Sequence, residues 1–178
     1  LVFIDGGASG ELLAARARVH IAALLIGVHL LPGWPAGPDA LVLTLAIAVL
    51  GYALLARRMA AAGYSTSFGY VTSTVDVTCV TASLALLALV EPAAPLHSVV
   101  RFQLYFLAIF LSSLKMNWRI TALAGVLSTL QYAALLAGIA FAAQPMANWT
   151  LQVGRLGTLA GAAYLGTLIV LRAQQHGV

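Results

Sequence analysis

The sequence predicts an all-α membrane protein, a bundle of six transmembrane helices with both termini cytoplasmic. Three observations lead there. Of 178 residues, 62% are hydrophobic and only 8% charged, against roughly a quarter charged in a soluble domain. The mean hydropathy is +0.98, so lipid must be the outer solvent. Six apolar stretches follow one another, and the lysines and arginines fall almost entirely between alternate stretches.

A hydrocarbon core about 30 Å thick needs roughly 20 mostly apolar residues in a helix. The spans expected on that basis are 18–34, 40–55, 69–90, 99–114, 120–141 and 151–171, which make residues 1–178 a single domain. Prolines mark the breaks: Pro32, Pro35 and Pro38 after the first span, Pro92 and Pro95 after the third, Pro145 after the fifth. Proline removes a backbone donor and ends helices. The first span is the least regular. It is expected to start as an amphipathic lead-in near Glu11 and to pass through Pro32 as a kink.

Six spans put both ends on one side, with Arg16, Arg18, Arg57, Arg58, Lys115, Arg119 and Arg172. Only Arg101 and Arg155 remain for the other. Positive residues stay cytoplasmic, which sets the orientation. The net charge of +4 then reflects arginines beside anionic lipid, and no nucleic-acid partner is implied. Aromatic residues near the boundaries agree, with Trp34 and Trp149 outside and Trp118 inside.

No secretory signal pattern opens the sequence, and a chain starting at Leu1 rather than Met is expected to be trimmed or incomplete. A lone cysteine, Cys79, excludes an internal disulfide and a cysteine-based metal cluster. No phosphate-cradling glycine loop or catalytic carboxylate pair is present. The expectation is a non-enzymatic chain with no catalytic residue, metal or cofactor. His20 and His29 lie on opposite sides of one helix, while His97 and His176 fall near a loop and the tail. None pairs at matched depth as a bis-histidine haem requires. The Asn148-Trp149-Thr150 triplet matches a glycosylation acceptor, a pattern common by chance.

Asp76 is the residue that most needs explaining. It lies about seven residues into the third span, roughly 10 Å deep at 1.5 Å per residue. A carboxylate there should face the bundle interior and have a partner. Thr72, Cys79 and Ser83 stand on its side of the helix, and Ser73, Thr74, Thr78 and Thr81 widen the polar stripe. Two readings stay open, a structural hydrogen-bond knot and a proton- or ligand-coupled switch. In the fourth span Arg101, Tyr105, Ala108, Ser112 and Lys115 keep one face. Snorkelling to the two interfaces would explain its charges. Ser112, Ser113, Lys115 and Arg119 nevertheless share the cytoplasmic half with Asp76, and Ser112, Lys115 or Arg119 is its expected partner.

The outer side offers Glu91, His97, Arg101 and Arg155, with Gln103, Asn148 and Gln152 nearby in sequence. Paired arginines can hold a carboxylate or phosphate, and equally one can pair with Glu91 to staple loops. Small residues let helices approach closely in lipid. Thr121, Gly125, Ser128 and Tyr132 share a face of the fifth span, and Gly154, Gly157, Gly161 and Tyr164 one of the sixth. These glycines serve contacts within the chain or a dimer.

The segments YVTSTVDVTCVTASLALLALV (70–90) and SVVRFQLYFLAIFLSSLKMNWRITALAGVLSTLQYAALL (98–136) resemble the six-helix amino-terminal membrane regions of bacterial signalling enzymes. Those regions precede nucleotide cyclases, diguanylate cyclases or sensor histidine kinases. The shared features are a Ser/Thr-rich third helix carrying Asp76, an F-x-LYFL run at Phe102 to Leu107, and serine and basic residues opening the cytoplasmic turn. An R-x-T-x-x-x-G run from Arg119 to Gly125 follows. The resemblance implies a sensing or anchoring module in the bacterial inner membrane, without activity of its own and working as a dimer. The departure is at the end, where no signalling helix or catalytic segment follows the sixth span before Val178. Two other classes stay in view: an accessory subunit of a photosynthetic or respiratory complex, and a small proton-coupled transporter. No internal repeat of the kind common in transporters is visible.

Overall fold

The computed structural model describes residues 2–31, 38–63, 65–91, 93–142 and 149–176. Among them every regular element is a helix. In chain order these are α1 (Val2–Leu30), α2 (Pro38–Ala62), α3 (Thr66–Val90), α4 (Ala94–His97), α5 (Val99–Ser113), α6 (Trp118–Phe141) and α7 (Trp149–Gln175). Pro32, Trp34, Pro35, Pro92, Pro145 and Asn148, expected as breakers, belt or acceptor site, lie outside the described residues.

Five described helices are long and apolar enough to cross a membrane: α1 from Ala8, α2 from Ala40, α3, α6 and α7. The expected fourth span is the exception. Helix α5 has 15 residues, roughly 22 Å at 1.5 Å per residue, short of a 30 Å core. Its N-terminal side is interrupted because Pro95 opens the one-turn helix α4 and Ser98 adopts an extended conformation (φ −74°, ψ 92°). Other boundaries move outward. Helix α1 runs unbroken through Glu11 and Arg18, α2 continues past Arg57 and Arg58, and α7 passes Arg172. Hydropathy marks where lipid ends, whereas a helix continues until its backbone is interrupted. Pro38 is not a breaker but the first residue of α2, where its missing N–H costs nothing. Two helix starts are capped by short polar side chains. Ser65 accepts from the Phe68 N–H at 3.2 Å and Asn117 from the Arg119 N–H at 3.0 Å.

The helices form two groups. Residues from α3 to α7 share one apolar core around Leu84, Leu96, Tyr105, Tyr132 and Leu159. Phe102 packs edge-on against Tyr105 and lies 5.1 Å from the Tyr132 ring. Helices α1 and α2 pack chiefly on one another. Their buried residues are mostly alanine, Ala14, Ala15 and Ala22 on α1 with Ala53, Ala56 and Ala60 on α2. Small side chains permit close helix approach without a large apolar driving force. Helix α1 touches α5 only lightly, so the hairpin leans on the larger group and leaves a gap beside it. Large apolar side chains such as Leu24, Val100 and Ile169 point outward, as a lipid-facing surface requires.

Candidate functional site

The hairpin is joined to the larger group by buried charge. Glu11 and Arg18 are two turns apart on α1 and face the same way. The Arg18 Nε donates to both carboxylate oxygens of Asp76 at 2.8 and 2.9 Å, and its Nη1 donates to Glu11 at 2.9 Å. The other Glu11 oxygen lies 3.1 Å from the Lys115 ammonium. Glu11 and Lys115 side chains are fully buried, and those of Arg18 and Asp76 nearly so. Two acids and two bases sum to zero, the condition under which charges survive away from water.

Hydroxyl and carbonyl groups complete the network. Lys115 Nζ donates to the Gly69 carbonyl at 2.9 Å, to Thr72 Oγ1 at 2.6 Å and to Ser73 Oγ at 2.7 Å. The Tyr52 hydroxyl donates to the Thr72 carbonyl at 3.1 Å and lies 3.4 Å from Asp76. In the turn after α5, burial pulls the Lys115 ammonium down to about 8 from its ordinary value, while the Glu11 carboxylate works the other way.

The expected partner of Asp76 is thereby corrected. Asp76 faces inward, but it pairs with Arg18 of α1, not with Ser112, Lys115 or Arg119. Ser112 is buried and bonds back to the Ile109 carbonyl at 2.6 Å, and Arg119 is exposed with its guanidinium over the Trp118 ring. Lys115 does not snorkel, because Glu11 and three neutral acceptors from α3 hold it inside. Thr72 does belong to the site. Glu11, Arg18, Tyr52 and Ser73 join it without having been expected as partners of Asp76. Their signal is the i, i+7 spacing of Glu11 and Arg18, with Ala14, Ala15 and Ala22 extending the same buried stripe.

The turn between α5 and α6 is the meeting point of the bundle. Gly10 packs directly on the Leu114 carbonyl, so α1 approaches the turn backbone where any side chain would clash. Lys115 reaches α1 and α3. Met116 takes a left-handed conformation (φ 51°), and its carbonyl accepts from Gln174 Nε2, in the last turn of α7, at 2.7 Å. Helices α1, α3 and α7 therefore converge on three consecutive residues.

Above this junction lies a cavity of about 130 Å³, partly open to the outside. Arg18, Tyr52 and Asp76 form its inner end, and His29 and Arg101, near the opposite ends of α1 and α5, also line it. Leu25, Val49, Leu104 and Leu107 make the walls between, with Cys79 and Ser83 continuing the polar stripe of α3.

Of the expected outer cluster, Glu91 and His97 are exposed, Arg101 lines the cavity, and Arg155 is buried. Arg155 Nη1 donates to the Leu96 carbonyl at 2.8 Å and to the Tyr132 hydroxyl at 3.3 Å, over the Phe102 ring at 5.0 Å. Gln152 accepts from Tyr132 at 2.6 Å. The arginine satisfies a carbonyl left by the short helix α4, a structural role. Of the glycines, Gly125 packs directly on Ala163 of α7, while at Gly154, Gly157 and Gly161 an added Cβ would meet open space among the described residues. Compared with protein-family models, curated proteins and solved structures, the chain matches none.

Proposed function

We propose that this chain is the membrane-embedded sensory or anchoring module of a bacterial signalling system, non-catalytic itself, with six crossings and both ends cytoplasmic. The orientation is supported by Arg16, Arg57, Arg58, Arg119 and Arg172, which all lie toward the same end of the bundle as the α5–α6 turn. In this reading α5, short as it is, crosses together with the α4 segment.

One observation carries the sensory reading. The α1–α2 hairpin is latched through Arg18 to Asp76 of α3, and through Glu11 to the same turn that holds the end of α7 through Gln174. A ligand that favours one seating of the hairpin changes the position of Glu11 against Lys115, and Met116 passes it to α7. Such a two-state element shifts by the differential affinity of its ligand, typically about 1–3 kcal/mol. A second observation, the open glycine face of α7, favours a dimer or a larger membrane assembly, because small residues there allow another helix to approach.

Fusing residues 1–178 to a cyclase reporter in cells tests the coupling. Output should respond to an added ligand, and Gln174→Ala should blunt the response at unchanged membrane levels. Output that stays flat across ligands, pH and membrane potential, from a chain that purifies only with a larger complex, would favour an accessory subunit.

A further inference from the structure

The cavity beside the hairpin has two unlike ends. At the inner end Arg18 and Asp76 neutralise one another, with side chains only 3% and 8% exposed. The Tyr52 hydroxyl there is committed to the Thr72 carbonyl. Asp76 is the one acid among the described lining residues, so this end is a neutral floor. Leu25, Val49, Leu104 and Leu107 make apolar walls above it.

His29 and Arg101 line the outer end. Bonds from Arg18 to Asp76 and from Thr72 to Glu11 set α1 beside α3, running the same way. Those between Thr81 and Tyr105 and from Lys115 to Ser73 set α3 against α5, running oppositely. Counted from these contacts, His29 and Arg101 come within about one turn of the same level.

Both residues have hydrogen-bonding capacity to offer. The His29 Nδ1 lies 2.7 Å from the Leu25 carbonyl, which only accepts, so Nδ1 carries a hydrogen and Nε2 remains for another group. Arg101 already has an interaction within the chain. A guanidinium has five N–H donors, however, so one partner leaves donors over, and its fork matches a carboxylate. A carboxyl group suits the pair in either protonation state. As the acid it donates to Nε2, and as the carboxylate it accepts from a protonated imidazole. An ammonium would face the guanidinium.

The space is one chain wide. Along α5 the lining runs from Arg101 to Leu111, roughly 15 Å. The volume of about 130 Å³ holds roughly ten water-sized spheres, which suits a single tail and not the two of a phospholipid.

We infer that the cavity between the α1–α2 hairpin and helices α3 and α5 binds a single-chain carboxylic acid of the fatty-acid class. Its carboxyl group is held by Arg101 and His29, and its tail points to the floor formed by Arg18 and Asp76. As the input of a sensor this ligand rests on the sensory reading; as a bound molecule it does not.

Cys79 supplies the probe, being the sole cysteine of the chain and part of the cavity wall. By the same count it lies roughly 9 Å inward of Arg101. The full chain in lipid nanodiscs is treated with methyl methanethiosulfonate, a small uncharged thiol reagent, and the rate of Cys79 modification is followed by mass spectrometry. Dodecanoate, dodecanol, dodecyl phosphate, dodecyltrimethylammonium and butanoate are compared at equal membrane concentration. Dodecanoate should protect Cys79 at about tenfold lower concentration than dodecanol, the worth of one charge-assisted hydrogen bond. Arg101→Gln should erase that difference and leave protection by dodecanol in place. An extended chain gains about 1.2 Å per bond, so butanoate held at the outer end stops short of Cys79 and should leave it reactive.

Equal protection by dodecanoate and dodecanol in the native chain would show the charge of Arg101 spent within the chain, and would overturn the proposal. Stronger protection by dodecyl phosphate or dodecyltrimethylammonium would overturn the choice of a carboxyl head. Protection by butanoate would overturn the placement of that head at the outer end. These comparisons use the native chain and hold even if Arg101→Gln does not fold. Protection by dodecanoate with a silent reporter fusion would sink the sensory reading and leave the site. A reporter that answers dodecanoate without Cys79 protection would sink the site alone.

Discussion

The ammonium of Lys115 stands 3.1 Å from the carboxylate of Glu11, and neither side chain has exposed surface. One belongs to the turn after α5 and the other to the first helix, so the pair closes the bundle from its first element to its fifth. Its importance shows when one member is lost. Breaking a buried pair leaves an uncompensated charge, which costs about 3–5 kcal/mol. Lys115→Met should therefore lower the thermal midpoint of the chain in nanodiscs sharply. Adding Glu11→Gln should restore part of the loss, because the two sites are coupled. Additive losses in the double variant would show that the pair contributes nothing.

Asp76→Asn tests the second link. The amide removes the charge from the pair with Arg18 while keeping size and one acceptor oxygen. A loss of about 3 kcal/mol or more is expected on the same grounds, measured by thermal unfolding. Ser112→Ala, which removes a hydroxyl bonded only within its own helix, should cost about 1 kcal/mol or less. If the two variants lose equal stability, Arg18 is not the partner that matters for Asp76.

Glycines that look alike in sequence should behave differently. Gly125→Val brings a side chain into Ala163 and must force α6 and α7 apart. A destabilisation of about 1–3 kcal/mol is expected from overpacking. At Gly157 an added Cβ meets nothing among the described residues, so Gly157→Val should leave the unfolding midpoint of the monomer intact. If an oligomer forms through the α7 face, Gly157→Val should weaken it in cross-linking or light scattering. Loss of monomer stability by Gly157→Val would contradict the open face.

Met116 offers a gain. A side chain at φ 51° carries a penalty of about 1–2 kcal/mol that glycine escapes. Its role in the junction comes from its carbonyl, which glycine keeps. Met116→Gly should be neutral to stabilising in thermal melts, offset in part by the added freedom of the unfolded chain. A strong loss would mean that the Met116 side chain, and not its carbonyl, holds α7.

Much of the helical layout is legible in apolar runs and their interruptions, since lipid enforces both. The inward face of Thr121, Gly125, Ser128 and Tyr132 is visible from spacing alone, and all four are buried. Partnership is not legible in the same way. Periodicity ranks neighbours on one helix but says nothing about which other helix approaches, so spacing points Asp76 to the nearest following cations. Arg18 reads as a boundary marker because a single charge is expelled from lipid. Together with Glu11 two turns away it is half of a neutral pair and can go inside. The partner of Arg155 is hidden for a related reason, since the short helix α4 leaves a carbonyl at Leu96 that only the fold reveals.

The latch between Arg18 and Asp76 can be measured against the position of α7 directly. Spin labels at two outward positions, Leu13 on α1 and Ile169 on α7, in a Cys79→Ala background, report their separation by pulsed electron resonance in nanodiscs. One distance distribution is expected in the latched chain, and a second, shifted population when Asp76→Asn releases Arg18. Gln174→Ala should broaden the same distance by loosening the end of α7, without adding the shifted population. An unchanged single distribution in Asp76→Asn, with the protein still folded, would contradict the coupling of the hairpin to α7.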